Sequence, residues 1–241
     1  MNNSYNERSM KIIGLKKTIL EDNDADADRL REELKKKNVF YMNVMSSPGS
    51  GKTTTIVGTI ERLRKHFNIG VMEADIDSDV DALTVAKAGV SAVQLHTGGM
   101  CHLDADMSRQ GMAALEAEAD NTLDFIILEN VGNLVCPAEF DTGACLNVAI
   151  LSVPEGDDKP LKYPLMFEKC QAVIINKIDS MPAFDFDMDK VKANIAMRNS
   201  EAVVFFVSAR TGEGMDVWCE WLKGNVAQYL GVNQNGQCKS N

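Results

Sequence analysis

Apolar and polar positions alternate along this chain in a way that predicts a sheet of strands interleaved with helices. Short apolar runs have the length of buried strands, and several segments between them carry apolar residues at helical spacing. Strands that alternate with helices form a mostly parallel sheet with helices on both faces, so we expect an α/β fold whose ligands bind beyond the carboxyl ends of the strands. The strand runs are 39–44, 69–74, 92–95, 125–128, 148–153, 172–175 and 203–207, and the helical patterns are 55–66, 80–88, 107–119, 188–197 and 213–229.

The two ends of the chain depart from this alternation. Residues 1–37 hold a weak apolar cluster and then a dense run of both charge signs, which predicts a solvated N-terminal helical extension outside the core sheet. Residues 231–241 are polar and predict a C-terminal tail. We therefore expect one domain over residues 38–230, with an extension before it and a tail after it.

Residues 46–54, with the sequence Ser-Ser-Pro-Gly-Ser-Gly-Lys-Thr-Thr, separate the first strand run from the first helical pattern. A strand, a glycine-rich turn, Gly-Lys-Thr and a helix form the context of a phosphate loop, whose backbone N–H groups surround phosphate oxygens at the helix N-terminus. Lys52 can reach the β- and γ-phosphates, and the hydroxyl of Thr53 can hold Mg²⁺. Ser46 stands where the motif usually has its first glycine. We expect the nucleotide to be bound by Gly49, Ser50, Gly51, Lys52, Thr53 and Thr54.

A second nucleotide motif, Asn-Lys-Ile-Asp at 176–179, follows the sixth apolar run. The carboxylate of Asp179 can accept two hydrogen bonds from guanine N1–H and N2–H₂, a pair of donors that adenine lacks. Asn176 can tie the loops together, and the stem of Lys177 can lie over the base. The loop of Ser208, Ala209 and Arg210 follows the next strand run and is expected to present a backbone amide to guanine O6. The nucleotide is therefore expected to be GTP, or GDP after hydrolysis, rather than ATP.

Two acidic strand ends, at 73–77 and 129–132, fall where the Mg²⁺ ion and the attacking water of a phosphate-loop enzyme lie. Carboxylates there would hold Mg²⁺ or order the water. We expect Asp75 and Glu129 to take this role with Lys52, and Asp75, Glu129 and Thr53 to be the magnesium ligands. Gly132 can let its loop move as the γ-phosphate comes and goes.

Cysteine and histidine side chains form a further group of candidate ligands. Cys101 and His102 are adjacent, and Cys136 follows the second acidic strand end. Thiolate and imidazole suit zinc or nickel rather than magnesium or calcium. Adjacent cysteine and histidine are not a zinc-finger motif, so spacing alone leaves two interpretations open: a metal site, or a buried cysteine beside a surface histidine.

Composition excludes several classes of partner. The net charge of −10 over 241 residues argues against nucleic acid or an anionic membrane surface as the main partner. Six scattered cysteines do not form a disulfide framework and suit a reducing compartment. The N-terminus shows no signal-peptide pattern, and no apolar run approaches membrane-spanning length. We expect a cytoplasmic protein.

Taken in chain order, these motifs resemble the HypB family of nickel-incorporation GTPases that serve hydrogenase. The resemblance covers about residues 38–230. Further motifs of the family are residues 97–105, 129–137 and Glu-Gly-Asp-Asp-Lys at 155–159. The most specific parts of the resemblance are the Cys-His pair at 101–102 and the sequence Asn-Val-Gly-Asn-Leu-Val-Cys-Pro at 130–137. It implies the fold of the dimeric phosphate-loop GTPases of metallocentre assembly. It also implies slow GTP hydrolysis linked to the delivery of nickel to the large subunit of [NiFe] hydrogenase.

The resemblance further implies roles for particular residues and partners. Cys101, His102 and Cys136 become ligands for nickel or zinc, shared at the interface of a homodimer. Lys159 is placed near guanine or near the dimer partner. The implied partners are a nickel-carrier accessory protein and the hydrogenase large subunit. Ala74 stands where the family often has glycine, and the chain has neither an N-terminal cysteine cluster nor a histidine-rich tract, so a second nickel site and nickel storage are not implied.

Other functions compete with this one. A urease-type accessory GTPase would be expected to carry Cys-Pro-His where this chain has Cys-Pro-Ala at 136–138. A metal-responsive regulator would bind GTP with little turnover, and turnover at saturating metal distinguishes it. Kinases and ATP-driven partitioning proteins are disfavoured by the base motif at 176–179 and by Ser47, where partitioning ATPases carry a lysine.

Overall fold

The computed structural model describes residues 15–75, 85 and 88–232. Within these ranges each predicted strand run forms a strand, which confirms the strand prediction. The strands are β1 (Phe40–Ser46), β2 (Ile69–Asp75), β3 (Ser91–His96), β4 (Phe125–Glu129), β5 (Leu146–Ser152), β6 (Ala172–Asn176) and β7 (Val203–Phe206). They form one sheet in the order β3-β2-β4-β1-β5-β6-β7, and every pair is parallel.

Helices connect these strands, as the alternating pattern predicts. The described helices are α1 (Leu15–Lys37), α2 (Lys52–Leu63), α3 (Ala105–Glu118), α4 (Cys136–Glu139), α5 (Lys159–Lys162), α6 (Pro164–Lys169), α7 (Met188–Ala196) and α8 (Met215–Tyr229). The helices α4, α5 and α6 span at most six residues and have proline in the first turn, so they are too short to show helical periodicity. The helix predicted over 80–88 and the tail beyond residue 232 lie largely outside the described residues. In the part of the chain that is described, no helix is long and apolar enough to cross a membrane.

The core lies on both faces of the sheet. Successive residues of a strand point to opposite faces, and β1 illustrates this. Met42 and Val44 belong to a buried cluster that includes residues of α2 and α8. Tyr41 belongs to a second buried cluster with residues of α1 and α3. Because both faces are covered, the open positions for ligands are at the carboxyl ends of the strands, where the phosphate loop follows β1.

The helix α1 differs from the solvated extension that the charge pattern predicts. Ala27, Leu30 and Leu34 are each at most 4% exposed, and the latter two pack into the same cluster as α3. These positions share one face of the helix, and the charged residues around them occupy the rest. The expectation of a solvated helix is therefore wrong for α1. The buried stripe is only a few residues wide, and the many charged residues around it conceal its periodicity in the sequence.

Candidate functional site

The phosphate loop and three strand ends line one cavity of about 570 Å³ at the carboxyl edge of the sheet. Of the predicted phosphate-binding residues, five line it directly, and Glu129 faces them from the end of β4. The lining also includes residues that follow Glu129 and one residue of the base motif. The full set is Pro48, Gly49, Gly51, Lys52, Thr53, Thr54, Glu73, Ala74, Glu129, Asn130, Val131, Gly132 and Lys177.

Gly51 is required where the loop enters α2. Its φ of 94° lies in the left-handed region, and an added Cβ would come within 2.4 Å of the side-chain nitrogen of Asn176. That nitrogen donates to the Ser50 carbonyl at 2.9 Å. The absence of a side chain at Gly51 therefore leaves room for Asn176 to form a hydrogen bond with the phosphate loop.

Ser46, which replaces the usual first glycine of the motif, organises the loop through its hydroxyl. Its Oγ accepts a hydrogen bond from the Nζ of Lys52 at 3.0 Å and one from the hydroxyl of Ser50 at 2.6 Å. It donates in turn to the Ser47 carbonyl at 2.8 Å. The ammonium of Lys52 is thus held inside the loop, with its residue only 9% exposed. The sequence shows that serine replaces glycine at position 46, but not that this serine accepts a hydrogen bond from Lys52.

Oxygen atoms of the kind that bind divalent cations lie close together at the cavity. The Thr53 hydroxyl donates to Oε1 of Glu129 at 2.9 Å, so two of the predicted magnesium ligands are brought together. Glu73 also lines the cavity, and the register of β2 and β4 pairs it with Glu129. A hydroxyl and carboxylates are the donor set that Mg²⁺ prefers. Asp75 ends β2, but its side chain lies outside the described residues, and its role remains a prediction.

Glu73 is a site residue that the sequence reasoning passed over in favour of Asp75. Glu73 is 2% exposed as a residue, and it lies beside Glu129 on the neighbouring strand. The signal was present, because a glutamate inside an apolar strand run rarely points into a hydrophobic core. Only the register of the parallel strands β2 and β4 shows that Glu73 lies beside Glu129.

The base motif forms a preorganised carboxylate. Asp179 accepts hydrogen bonds from the Ser208 hydroxyl and from the guanidinium of Arg210, both at 2.6 Å. The Ser208 hydrogen bond, and then the nearby Arg210 charge, hold the pKa of Asp179 below its usual value. The carboxylate is therefore ionised near neutral pH, as acceptance from guanine requires.

Asn176 ties the loops together, as predicted. Its Nδ2 donates to Ser50, and its Oδ1 accepts from the backbone N–H of Ala209 at 3.1 Å and of Lys177 at 2.8 Å. Lys177 has a left-handed backbone with φ of 61°, and its ammonium donates to the Gly49 carbonyl at 2.6 Å. The phosphate loop and the two loops predicted to recognise the base thus share one network of hydrogen bonds.

Lys159 begins α5, in the segment after β5. Its Nζ lies 5.2 Å from the centre of the Tyr163 ring, within range of a cation–π contact. Earlier in the same segment, Glu155 accepts from the hydroxyl of Ser47 in the phosphate loop and from the backbone N–H of Ser152 at 2.8 Å. The segment is therefore joined to the phosphate loop, while the contact of Lys159 with guanine or a partner subunit remains a prediction.

The segment between β4 and α4 touches the phosphate loop and is anchored at its start. An added Cβ on Gly132 would lie 3.1–3.3 Å from ring and backbone atoms of Pro48, so the two segments pack closely. Asn130 accepts from the backbone N–H of Val131 at 2.9 Å and donates to Asn43 at 3.0 Å. Asn43 then donates to Asn147 on β5 at 3.0 Å, which completes a chain of side-chain amides across three neighbouring strands.

The same segment ends at the candidate metal ligands. The thiol of Cys136 lies beside that of Cys101, and this neighbour raises the pKa of Cys136. The Cys101 sulfur lies 4.0 Å from Nδ1 of His102. Burial lowers the pKa of His102, which favours the neutral imidazole that binds metals. The His102 ring stacks on Phe140, with ring centres 3.7 Å apart.

These contacts bring together two cysteines that are far apart in the sequence. A side-chain amide also reaches them, because Asn133 Nδ2 lies 3.8 Å from the Cys136 sulfur. Among the described residues, no group of three histidine, cysteine or acidic side chains lies close enough to form a complete metal site. Thiol and imidazole groups suit a soft or borderline cation, and metal binding by Cys101, His102 and Cys136 remains a prediction.

Comparisons with known proteins agree with this geometry. The family model described as CobW/HypB/UreG, nucleotide-binding domain, matches residues 40–206. The hydrogenase maturation factor HypB of Rhizobium leguminosarum bv. viciae is 44% identical over 218 residues, which cover 90% of this chain and 72% of that protein. The hydrogenase/urease maturation factor HypB of Helicobacter hepaticus is 42% identical over 230 residues, which cover 94% and 92%.

Solved structures give the same result. The crystal structure of HypB from Helicobacter pylori in complex with nickel superposes with a TM-score of 0.80 at 38% identity, covering 91% of this chain and 99% of that one. HypB from Archaeoglobus fulgidus has a TM-score of 0.78 at 35% identity, covering 86% and 100%. The seven-stranded sheet is therefore shared with proteins whose sequences are also similar.

Proposed function

Because this chain belongs to the CobW/HypB/UreG family of phosphate-loop GTPases, we propose that it couples GTP hydrolysis to nickel binding and delivers nickel during maturation of [NiFe] hydrogenase. The observation that carries the proposal is the segment from β4 to α4. It begins at Glu129, which accepts a hydrogen bond from the Thr53 hydroxyl beside the phosphate loop, and ends at Cys136, whose thiol lies beside that of Cys101. One short segment thus spans the nucleotide site and the thiols.

In this proposal the chain positions GTP for hydrolysis through the phosphate loop. The ammonium of Lys52 is held at Ser46 beside the cavity, from where it can contact the β- and γ-phosphates. Thr53, Glu129 and Asp75 are the residues that would hold Mg²⁺, which neutralises phosphate charge when bound. Phosphoryl transfer depends mainly on such positioning and charge stabilisation, which the lysine and the carboxylates would supply here.

Cys101, His102 and Cys136 would bind the nickel that is delivered, or zinc in its place. Three side chains leave either metal undercoordinated, so we propose that two protomers share the site in a homodimer. Nickel can adopt square-planar geometry and zinc prefers tetrahedral geometry, so a small shift of Cys136 would change which metal is favoured. The proposed partners are a nickel-carrier accessory protein and the hydrogenase large subunit.

Urease is a second candidate target, because the Helicobacter hepaticus relative is named for both hydrogenase and urease maturation. In cells that lack their own factor, this gene would restore hydrogenase activity, urease activity or both. A metal-responsive regulator is the other alternative. It would bind GTP but show little turnover even at saturating nickel.

The metal assignment is tested by titration. Replacing Cys136 with serine or His102 with alanine will weaken nickel and zinc binding at least tenfold, because each change removes a ligand from an already incomplete set. Equilibrium competition with a chromogenic chelator measures both affinities. His66→Ala is the matched control, since His66 is an exposed histidine on another part of the surface. If His102→Ala binds nickel as tightly as His66→Ala, His102 is not a ligand.

The base assignment is tested by exchange of nucleotide. Asp179→Asn will weaken GTP binding by about 1–3 kcal/mol and favour xanthosine triphosphate, whose C2 carbonyl needs a donor where guanine offers one. The ratio of the two dissociation constants is the measurement, because it is insensitive to a general loss of stability. Asp216→Asn is a suitable control, since that aspartate pairs with Arg62 on the surface. An unchanged ratio would remove Asp179 from base recognition.

A further inference from the structure

The side chain of Asn23, on α1, contacts both segments that carry the candidate metal ligands. Its Oδ1 accepts from the backbone N–H of Ala105 at 3.0 Å, and its Nδ2 donates to the carbonyl of Asp141 at 3.0 Å. Ala105 lies three residues after His102, and Asp141 lies five residues after Cys136. A single amide therefore joins the backbones of the two segments.

Both hydrogen bonds act at points that determine where the ligands lie. Ala105 is the first residue of α3, so its N–H is one of the helix-terminal donors that need a partner from outside the helix. By satisfying it, Asn23 fixes the start of α3 relative to α1 and with it the preceding Cys101–His102 segment. Asp141 directly follows Phe140, whose ring stacks on His102.

The rest of α1 holds the same two segments in place. Arg31 forms an ion pair with the carboxylate of Asp141 and donates to the Ala144 carbonyl at 3.0 Å. On the other side, Arg109 of α3 pairs with Asp26 at 3.1 Å. The Arg31 pair joins α1 to the segment after Cys136, and the Arg109 pair joins α1 to α3. The Asn23 amide alone, among these three contacts, forms hydrogen bonds with both segments.

We propose that Asn23 is a positioning residue for the nickel site, setting the distance between the Cys101–His102 segment and Cys136. This inference rests on the proposed function, since it needs those side chains to bind nickel. Metal geometry is sensitive to displacements of a fraction of an ångström, and residues that orient ligands from behind typically change metal affinity by about 10–100-fold. The residue lies outside positions 40–206 that match the family model, so no nucleotide-domain motif points to it.

The test compares three variants of the full chain by nickel titration and by the absorption bands of nickel bound to thiolate. Asn23→Ala removes both hydrogen bonds and is expected to weaken nickel binding by about 10–100-fold. Asn23→Asp keeps an acceptor for Ala105 but loses the donor to Asp141, and it is expected to fall between wild type and alanine. Asp22→Ala, an exposed neighbour on α1, is the matched control and should bind as wild type.

The readouts separate positioning from general destabilisation. If Asn23 positions the ligands, the nickel–thiolate absorption bands of nickel-saturated Asn23→Ala and Asn23→Asp will be shifted from those of wild type. The affinity of these variants for GTP in the absence of metal will be unchanged. A purely structural role would lower thermal stability and GTP affinity together and leave those bands in place. If Asn23→Ala does not fold, Asn23→Asp decides: wild-type nickel affinity and bands in that variant overturn the inference.

The experiment also distinguishes failure of the inference from failure of the proposed function. Wild-type nickel binding in Asn23→Ala, alongside lost binding in Cys136→Ser, refutes the role of Asn23 and leaves the function intact. Absence of nickel binding by the wild-type protein refutes the proposed function itself, and the role of Asn23 with it.

Discussion

Replacing Lys52 with alanine will lower the rate of GTP hydrolysis by about 10²–10³-fold while the protein remains folded, because a buried charge-assisted contact to the transferring phosphoryl group is lost. The ammonium of Lys52 donates to Ser46, a neutral hydroxyl, so its removal leaves no unpaired buried charge. Ser46 also keeps its hydrogen bonds with Ser50 and Ser47. We therefore expect the Lys52→Ala variant to keep the wild-type fold.

Phosphate release under single-turnover conditions measures this effect, and thermal unfolding shows whether the variant is folded. Lys37→Ala is the matched control, because Lys37 is an exposed lysine paired with the exposed Glu116. Turnover in Lys52→Ala equal to that in Lys37→Ala would exclude the phosphate loop from the mechanism.

Nickel affinity will differ between the GDP-bound protein and the protein bound to a non-hydrolysable GTP analogue. A coupling of about 1–3 kcal/mol, or about 5–150-fold in affinity, is typical of linked sites. The physical link is the segment from β4 to α4, which packs on Pro48 through Gly132 and reaches Cys136 four residues later. Its beginning is anchored by the amide chain from Asn130, so a γ-phosphate contact would displace the part that leads to Cys136.

The coupling is measured by nickel titration in both nucleotide states, in wild type and in Cys136→Ala. Because coupling of binding is reciprocal, nickel must change GTP affinity by the same factor, which supplies an internal check. Equal nickel affinities in the two states would leave a GTPase with an incidental metal site. An equal difference in wild type and Cys136→Ala would show coupling that does not pass through Cys136.

Features that depend on a few contiguous residues were predictable. The phosphate loop and the base motif are each formed by one turn after a strand, so their residue types and spacing already predict which backbone and side-chain groups would face the nucleotide. The role of Asn176 in joining the loops was predicted and is confirmed by its hydrogen bonds to Ser50 and Ala209. Ser46 was noted as a departure, but its bond to Lys52 required the folded turn.

The sequence by itself predicted the parallel α/β sheet and the guanine nucleotide motifs, because apolar periodicity and turn chemistry are local properties of the chain. The family followed from the resemblance of its motifs, above all the Cys-His pair at 101–102 and the segment at 130–137. Only the tertiary structure decided which distant side chains meet. The pairing of Glu73 with Glu129 follows from the placement of β2 beside β4, and the contact of Cys101 with Cys136 joins two loops at the sheet edge. The helix α1 packs on the domain through three buried apolar residues in an otherwise charged segment. This packing places Asn23 where it contacts both loops. No local pattern encodes the surface on which α1 packs, because it is assembled from α3 and the strands only on folding.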